Sequence, residues 1–295
     1  MAANRLSKLF RRSVPLPPDV EDALRRLGRL GEQQPELAEL AAANAALLRV
    51  MYAHQPLALR VDIEPDHART KQEVGLPLLR GEPAIFDPSD VRDQFLRLCE
   101  AIRAQGNTSA LELGSAVKAG HFRVEDAVVD VIAGDPGAVA RRADALGLDA
   151  GLAVTLLRLT LFPAMAQLAV DLRPLLDLAA WRRGYCPTCG SWPLLGEFRG
   201  LELTRFLRCG LCAGEWELDR LVCPFCDNRI HQDIKHWSVE GEEAKHRAMS
   251  CERCRGYVKQ ISTLAPIPAP RLLVEDLATL HLDLAALERN YAPPQ

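Results

Sequence analysis

Apolar residues in the first 180 positions recur with the period of a helix face. Val20, Ala23, Leu24, Leu27 and Leu30 form one stripe, and Leu37, Leu40, Leu47, Leu48 and Met51 continue it on a second helix. Asp87 and Pro88 mark a third start: an Asp suits the N-cap, proline suits the first helical position, and Asp90 adds negative charge to the first turn. Val91, Phe95, Leu98, Cys99 and Ile102 then share a face, which places Cys99 in a core as a small hydrophobe. Further helices are predicted over 109–119, 124–132, 136–145 and 152–181, the third of these opening on Asp135 and Pro136. An irregular stretch, 56–83, contains Pro65, Pro77 and Pro83. It is too long for an ordinary connection and is expected to pack on the body or to form a functional surface.

The pattern changes at Gly184. Leu and Ala runs give way to cysteine, tryptophan and short alternating segments, 201–207 and 236–239, which read as strands of a small β region. Pro266, Pro268 and Pro270 then form a linker to a last amphipathic helix, with Leu273, Leu277, Leu280, Leu284 and Leu287 on one face. The predicted fold class is α with small β. A helical domain (1–183) is followed by two small four-cysteine lobes of rubredoxin or zinc-ribbon type (184–221 and 222–263), then by the linker and C-terminal helix (264–295).

Composition narrows this further. Of 295 residues 48% are hydrophobic but only 5% aromatic, which favours packed helices over sheets for the large core. A net charge of −3 argues against a protein that neutralises phosphates. Arg11 and Arg12 are followed by Pro15 and Pro17 rather than by an apolar stretch, so no export signal is expected. The apolar region 151–181 is interrupted by Arg158, Pro163, Asp171, Arg173 and Pro174, so it reads as core helices and no membrane insertion is expected. A cytoplasmic location follows as the default, and there clustered thiols serve as metal ligands more often than as disulfides.

Eight of nine cysteines fall in four CxxC knuckles: Cys186 and Cys189, Cys209 and Cys212, Cys223 and Cys226, Cys251 and Cys254. Two residues between cysteines let one tight turn aim both sulfurs at one ion, and two such knuckles complete a tetrahedron. Sequential pairing is favoured over interleaved knuckles and gives C-x2-C-x19-C-x2-C and then C-x2-C-x24-C-x2-C, each loop long enough for a strand hairpin. Two regions of about 40 residues build little core of their own, so metal binding must supply much of their folding free energy. His231, His236 and His246 lie inside the second loop, but eight thiols already fill two sites. Trp192, Trp216 and Trp237 are expected to cover the small cores. Glu242 and Glu243 read as solvated loop charges rather than an acid–base pair, no catalytic constellation is seen, and a closed four-thiolate site has no open position. No enzyme is expected.

The run RCGLCAGEWELDRLVCPFC, followed by HWSVEGEEAKHRAMSCERCRGYVK, resembles the formate dehydrogenase accessory protein family, FdhE. The wider layout does too, with a helical first half, the segment KQEVGLPLL at 71–79 and an EDLATLHLD-like last helix. The resemblance implies a cytoplasmic maturation factor that meets the catalytic subunit of respiratory formate dehydrogenase. It also implies two rubredoxin-like centres that bind iron; zinc is the alternative ion, because four-cysteine sites accept it readily and it stands above ferrous iron in divalent affinity. The eight cysteines match the family knuckles one for one. Two departures stand out. Rubredoxin knuckles place glycine directly after the second cysteine, but only Gly190 does so here, with Ala213, Asp227 and Arg255 at the other three positions and Gly214 and Gly256 one residue later. Glu217 follows Trp216 where the family often has histidine. Two other readings compete. A nucleic-acid-binding zinc ribbon would want a basic excess, yet 197–259 holds 11 Lys/Arg and 11 Asp/Glu. An electron-transfer or sulfur-handling protein would fit iron centres, but no second cofactor or donor-docking feature is visible.

Overall fold

The computed structural model describes residues 15–54, 57–239 and 245–292. Arg11, Arg12, Glu242 and Glu243 lie outside them, as does Pro56. The chain forms two compact units, residues 1–58, 86–128 and 136–163, and residues 59–85, 129–135 and 164–295. These units divide the chain differently from the boundaries read in the sequence at 183/184, 221/222 and 263/264. Segment 59–85 bonds to the first cysteine turn, and one sheet runs through both cysteine regions.

In the first unit, α1 (Pro18–Gln33) packs on α2 (Ala38–Tyr52), α2 on α4 (Pro88–Arg103), and α4 on α5 (Thr108–Lys118). The stripes explain this packing. Val20, Ala23, Leu27 and Leu30 are buried on α1, and Val91, Phe95, Leu98 and Cys99 on α4. Leu40 departs from its predicted face and is exposed, while Ala41 takes the inward position. Asp87 caps α4 as expected, its carboxylate accepting from Ser89 N at 2.8 Å, and Asn107 caps α5 in the same manner. Burial pushes the Cys99 thiol up to about 12, in keeping with an inert core residue. Helices α6 (Val124–Ile132) and α7 (Pro136–Ala145) begin and end where the pattern places them. Helix α8 (Ala150–Leu172) stops short of the predicted 181, because Pro174 cannot continue it. By length and composition, α8 with its following turn is long and apolar enough to cross a membrane, and half of its most apolar window is buried within the fold.

The second unit is built on a six-stranded sheet of β1 (Pro193–Arg199), β2 (Thr204–Cys209), β3 (Glu215–Glu217), β4 (Ile234–Trp237), β5 (His246–Cys251) and β6 (Tyr257–Thr263). Their spatial order is β3-β2-β1-β6-β5-β4. Each half is an antiparallel meander, and the halves join along one parallel seam, β1 with β6, in the register Leu195↔Lys259 to Arg199↔Thr263. The strand predicted over 201–207 begins only at Thr204, because 200–203 form the turn between β1 and β2.

The single amphipathic helix predicted at the C-terminus is two helices, α9 (Ala269–Ala278) and α10 (Leu280–Glu288). The buried Thr279 hydroxyl donates to Glu275 O at 2.7 Å, and the break there changes the helix phase. As a result Leu272, Val274, Leu282 and Ala286 point inward, while Leu284 and Leu287 are exposed. Leu272 packs with Leu195, Ile261 and Ile267, and Lys259 reaches Asp276 and Asp283 at 2.6 and 2.7 Å. The irregular stretch also contains a helix the sequence hid, α3 (Pro65–Glu73), which buries only Ala68 and Lys71. Such a polar segment shows no apolar period.

Candidate metal centres

The four knuckles adopt one backbone design. The N–H four residues after each leading cysteine donates back to that cysteine's carbonyl: Gly190 to Cys186, Ala213 to Cys209, Asp227 to Cys223 and Arg255 to Cys251, at 2.9–3.1 Å. Each leading cysteine N–H in turn donates to the carbonyl five residues on, at Ser191, Gly214, Asn228 and Gly256. This closure puts the residue after the second cysteine in the left-handed region. Gly190 has φ +82°, and Ala213, Asp227 and Arg255 hold +53°, +54° and +59°. The three departures from glycine therefore leave the turn unchanged and carry a steric cost instead. The glycines one residue later answer a different need. A Cβ on Gly214 would lie 3.2 Å from Cys212 Sγ, and one on Gly256 would lie 2.6 Å from the Phe225 ring and 3.3 Å from Cys254 Sγ.

The knuckles pair sequentially. Cys186, Cys189, Cys209 and Cys212 form one set and Cys223, Cys226, Cys251 and Cys254 the other, with all ligand atoms of each set within 4.8 Å of one another. Within the sets Sγ–Sγ contacts run from 3.3 to 3.7 Å. Sulfurs at about 2.3 Å from a central ion would stand about 3.8 Å apart, so each set is close to the edge length that such an ion requires. Soft donors in that arrangement fit a thiophilic ion, and each set could hold one. Among the described residues no histidine or carboxylate joins either set. His231 and His236 are exposed and His246 is buried on β5.

The two sets differ in their surroundings. All four sulfur residues of the first are buried, whereas in the second Cys226 is half-buried and Cys254 exposed. In each set one thiol is held toward its ionised form. Burial opposes ionisation of Cys209, but hydrogen bonds from Cys186, Cys189 and Cys212 outweigh it and bring its pKa well below the ordinary value. Cys251 resists burial in the same way, through the Cys254 N–H and the Asn228 amide, and comes down to about 7. Burial instead raises Cys186 and Cys223, and it takes Cys254 up to about 11. Cys212 is also raised, first by its contacts with Cys186 and Cys189.

Several supports were not legible as such. The 71–79 segment docks on the first knuckle through its backbone, Leu78 N donating to Pro187 O and Leu79 N to Thr188 O, both at 2.9 Å. Tyr185 OH donates to Gly75 O at 2.7 Å. The resemblance singled out this segment, but periodicity did not. Arg205, wholly buried on β2, donates to the carbonyls of Leu218, Asp219 and Val222, which lie in the connection between the halves. Burial lowers its pKa to about 10. Glu197, fully buried beside the seam, binds Arg199 and Arg208. Trp216 covers the first half, its Nε1 donating to Arg183 O at 2.9 Å, while Trp192 and Trp237 are only partly buried.

Fold and site together define a protein with a helical N-terminal region, a small sheet holding two four-cysteine clusters that could each take a metal ion, and C-terminal helices. From the first cysteine region to near its C-terminus, the chain is similar to the FdhE family. The FdhE central-domain model matches residues 185–220 and the FdhE C-terminal-domain model matches 221–294. Protein FdhE of Salmonella paratyphi B is 36% identical over 115 residues, which is 37% of this chain and 35% of that protein. Protein FdhE of Escherichia coli O127:H6 is 36% identical over 118 residues, 38% of this chain and 36% of that protein. The chain thus aligns with about a third of the length of these relatives. The crystal structure of the FdhE protein from Pseudomonas aeruginosa matches at a TM-score of 0.64 and 25% identity, covering 96% of each chain.

Proposed function

We propose that this chain is a cytoplasmic accessory factor for respiratory formate dehydrogenase, which binds the catalytic subunit of that enzyme and is needed for its assembly or activity. It acts without catalysing a reaction itself. Cys186, Cys189, Cys209 and Cys212 hold one metal ion and Cys223, Cys226, Cys251 and Cys254 the second. The observation that carries the reading is the pair of complete four-thiol sets on one continuous sheet, in the region that matches the FdhE family models. Four thiolates fill a tetrahedral ion and leave no position for substrate, which favours a docking platform over a catalyst. Iron is the favoured ion from the family resemblance and zinc the alternative. Bound iron would also supply one-electron chemistry, and the open edge at Cys254 supports electron transfer as the second reading.

Metal content and an absorption spectrum of the fresh protein test the ion. Iron gives a red protein that bleaches on reduction, and a colourless protein with stoichiometric zinc selects the alternative. Tagged chain should co-purify with the catalytic subunit, and Cys186→Ser or Cys251→Ser should weaken recovery. Equal recovery by wild type and metal-free variants would remove the metal lobes as the docking platform. Normal formate dehydrogenase activity in cells lacking this protein would end the assignment.

A further inference from the structure

The fourth knuckle does more than aim two sulfurs. Its own residues Glu252 and Arg255 grip the end of the C-terminal helix pair. The Arg255 guanidinium lies 4.0 Å over the Tyr291 ring and donates to the carbonyls of Arg289 and Asn290. Nη1 of the same side chain binds Glu252 at 2.6 Å, and Glu252 accepts from Tyr291 OH. The Arg255 carbonyl accepts from Ala292 N at 3.0 Å. Tyr291 in turn packs with Tyr257, Ala286 and Trp237.

The contacts made by Arg255 itself depend on one backbone state, whereas the Tyr291 packing and the Arg289 guanidinium, 4.8 Å over the Trp237 ring, do not. Arg255 carries a side chain at φ +59°, a conformation that the closed knuckle enforces and that a free chain avoids. The knuckle belongs to the cluster whose sulfurs reach the surface, since Cys254 is exposed and Cys226 half-buried. A chelator or competing thiol attacks such an ion by replacing one sulfur at a time, so it needs an exposed sulfur to start from. The first set offers none.

We propose that the second four-thiol set is the exchangeable one and that its loading with a thiophilic divalent ion latches the end of α10 through Arg255. This rests on the reading that both sets bind metal. When the ion leaves, Arg255 relaxes to an ordinary backbone angle, its guanidinium swings off Tyr291, and residues 286–292 come free. Helix α9 stays, because its anchors are elsewhere: Leu272 against Leu195 and Ile261, and Asp276 against Lys259. The surface that opens is the one under Tyr291 and Ala286, lined by Tyr257 and Trp237.

The test uses the full chain loaded with two zinc ions, followed by chelator added until native mass spectrometry reads one. Thiol alkylation should then map to Cys226 and Cys254, with the first set protected. Amide exchange over 286–292 should quicken at least about ten-fold while 269–278 changes less than about two-fold. Loss of the first-set ion before the second, or unchanged exchange over 286–292, overturns the proposal. Arg255→Gly separates latch from ligand, because glycine keeps the left-handed turn but removes the guanidinium. It should retain two zinc ions and still show the faster exchange without chelator. Wild-type protection in that variant, or fewer than two ions, also overturns the latch. A chain that takes up no zinc refutes the metal reading itself, whereas two bound ions with an unresponsive C-terminus refute only the latch.

Discussion

Ala213 and Asp227 hold the same left-handed turn, yet glycine at the two positions should act differently. That conformation costs a residue with a Cβ about 1 kcal/mol, partly offset by the greater freedom of glycine in the unfolded chain. The Asp227 side chain is exposed, and its pair with Arg229 is a surface contact of little value. Asp227→Gly should therefore raise the melting temperature by about 1–2 °C with metal content unchanged. The Ala213 methyl packs against the cluster of Leu195, Ile261, Ile267 and Leu272, so removing it forfeits about 0.8 kcal/mol of burial and Ala213→Gly should come out near neutral. Scanning calorimetry of the metal-loaded variants checks both. Gly256→Ala is the opposite case. Its new Cβ would collide with Phe225 and crowd Cys254, and competition with a chromogenic chelator should show the second ion held at least about ten-fold less tightly. At this scale the sequence was informative. The CxxC spacing located all eight ligand candidates and favoured the sequential sets that the structure brings together, and the displaced glycines were visible before their purpose was.

Elements show where reading the sequence stops. The starts at Asp87 and Pro136 and the helix over 124–132 were legible because caps and apolar period act within a few residues. Helix α3 was not, since a nine-residue segment with two buried positions leaves no stripe. The last helix misled because a break at Thr279 turns one 3.6-residue phase into two. The parallel seam was the least visible of all. Strands β1 and β6 lie at opposite ends of the cysteine region, and no local pattern records which edges of two meanders will meet. What marks the seam chemically is Glu197, with no exposed surface and two arginine partners. Glu197→Gln leaves Arg208 buried without its counter-charge and should cost about 3 kcal/mol in denaturant unfolding of the two-ion protein. A loss below about 1 kcal/mol would mean that the charge pair is dispensable there.

At the scale of the molecule, the two compact units predict separate responses to metal removal. The first owes its stability to apolar stripes and contains none of the eight knuckle cysteines. The second combines a modest apolar core with two four-thiol sets. Stripping both ions should raise amide exchange across 186–263 by several orders of magnitude and leave α1, α2, α4 and α5 within about ten-fold of the loaded protein. Equal loss of protection in both units would show that the helical unit depends on the metal as well.

The order of knuckles along the chain sets a sorting problem for a newly made molecule. Nineteen residues separate the knuckles of the first set and twenty-four those of the second, but only ten lie between Cys212 and Cys223. Loop entropy alone therefore favours the wrong foursome, Cys209, Cys212, Cys223 and Cys226, by about 0.6 kcal/mol over the first correct one. Against it stand the β1–β2 hairpin, which brings Cys189 beside Cys209, and the direction of synthesis. A chain emerging from its N-terminal end completes the first set before Cys223 exists, so an ion captured then removes the inner knuckle from the wrong pairing. Refolding from denaturant with metal already present has no such timing. It should pass through a misloaded species that clears only as the ion is released, whereas a chain given metal during synthesis should bypass it.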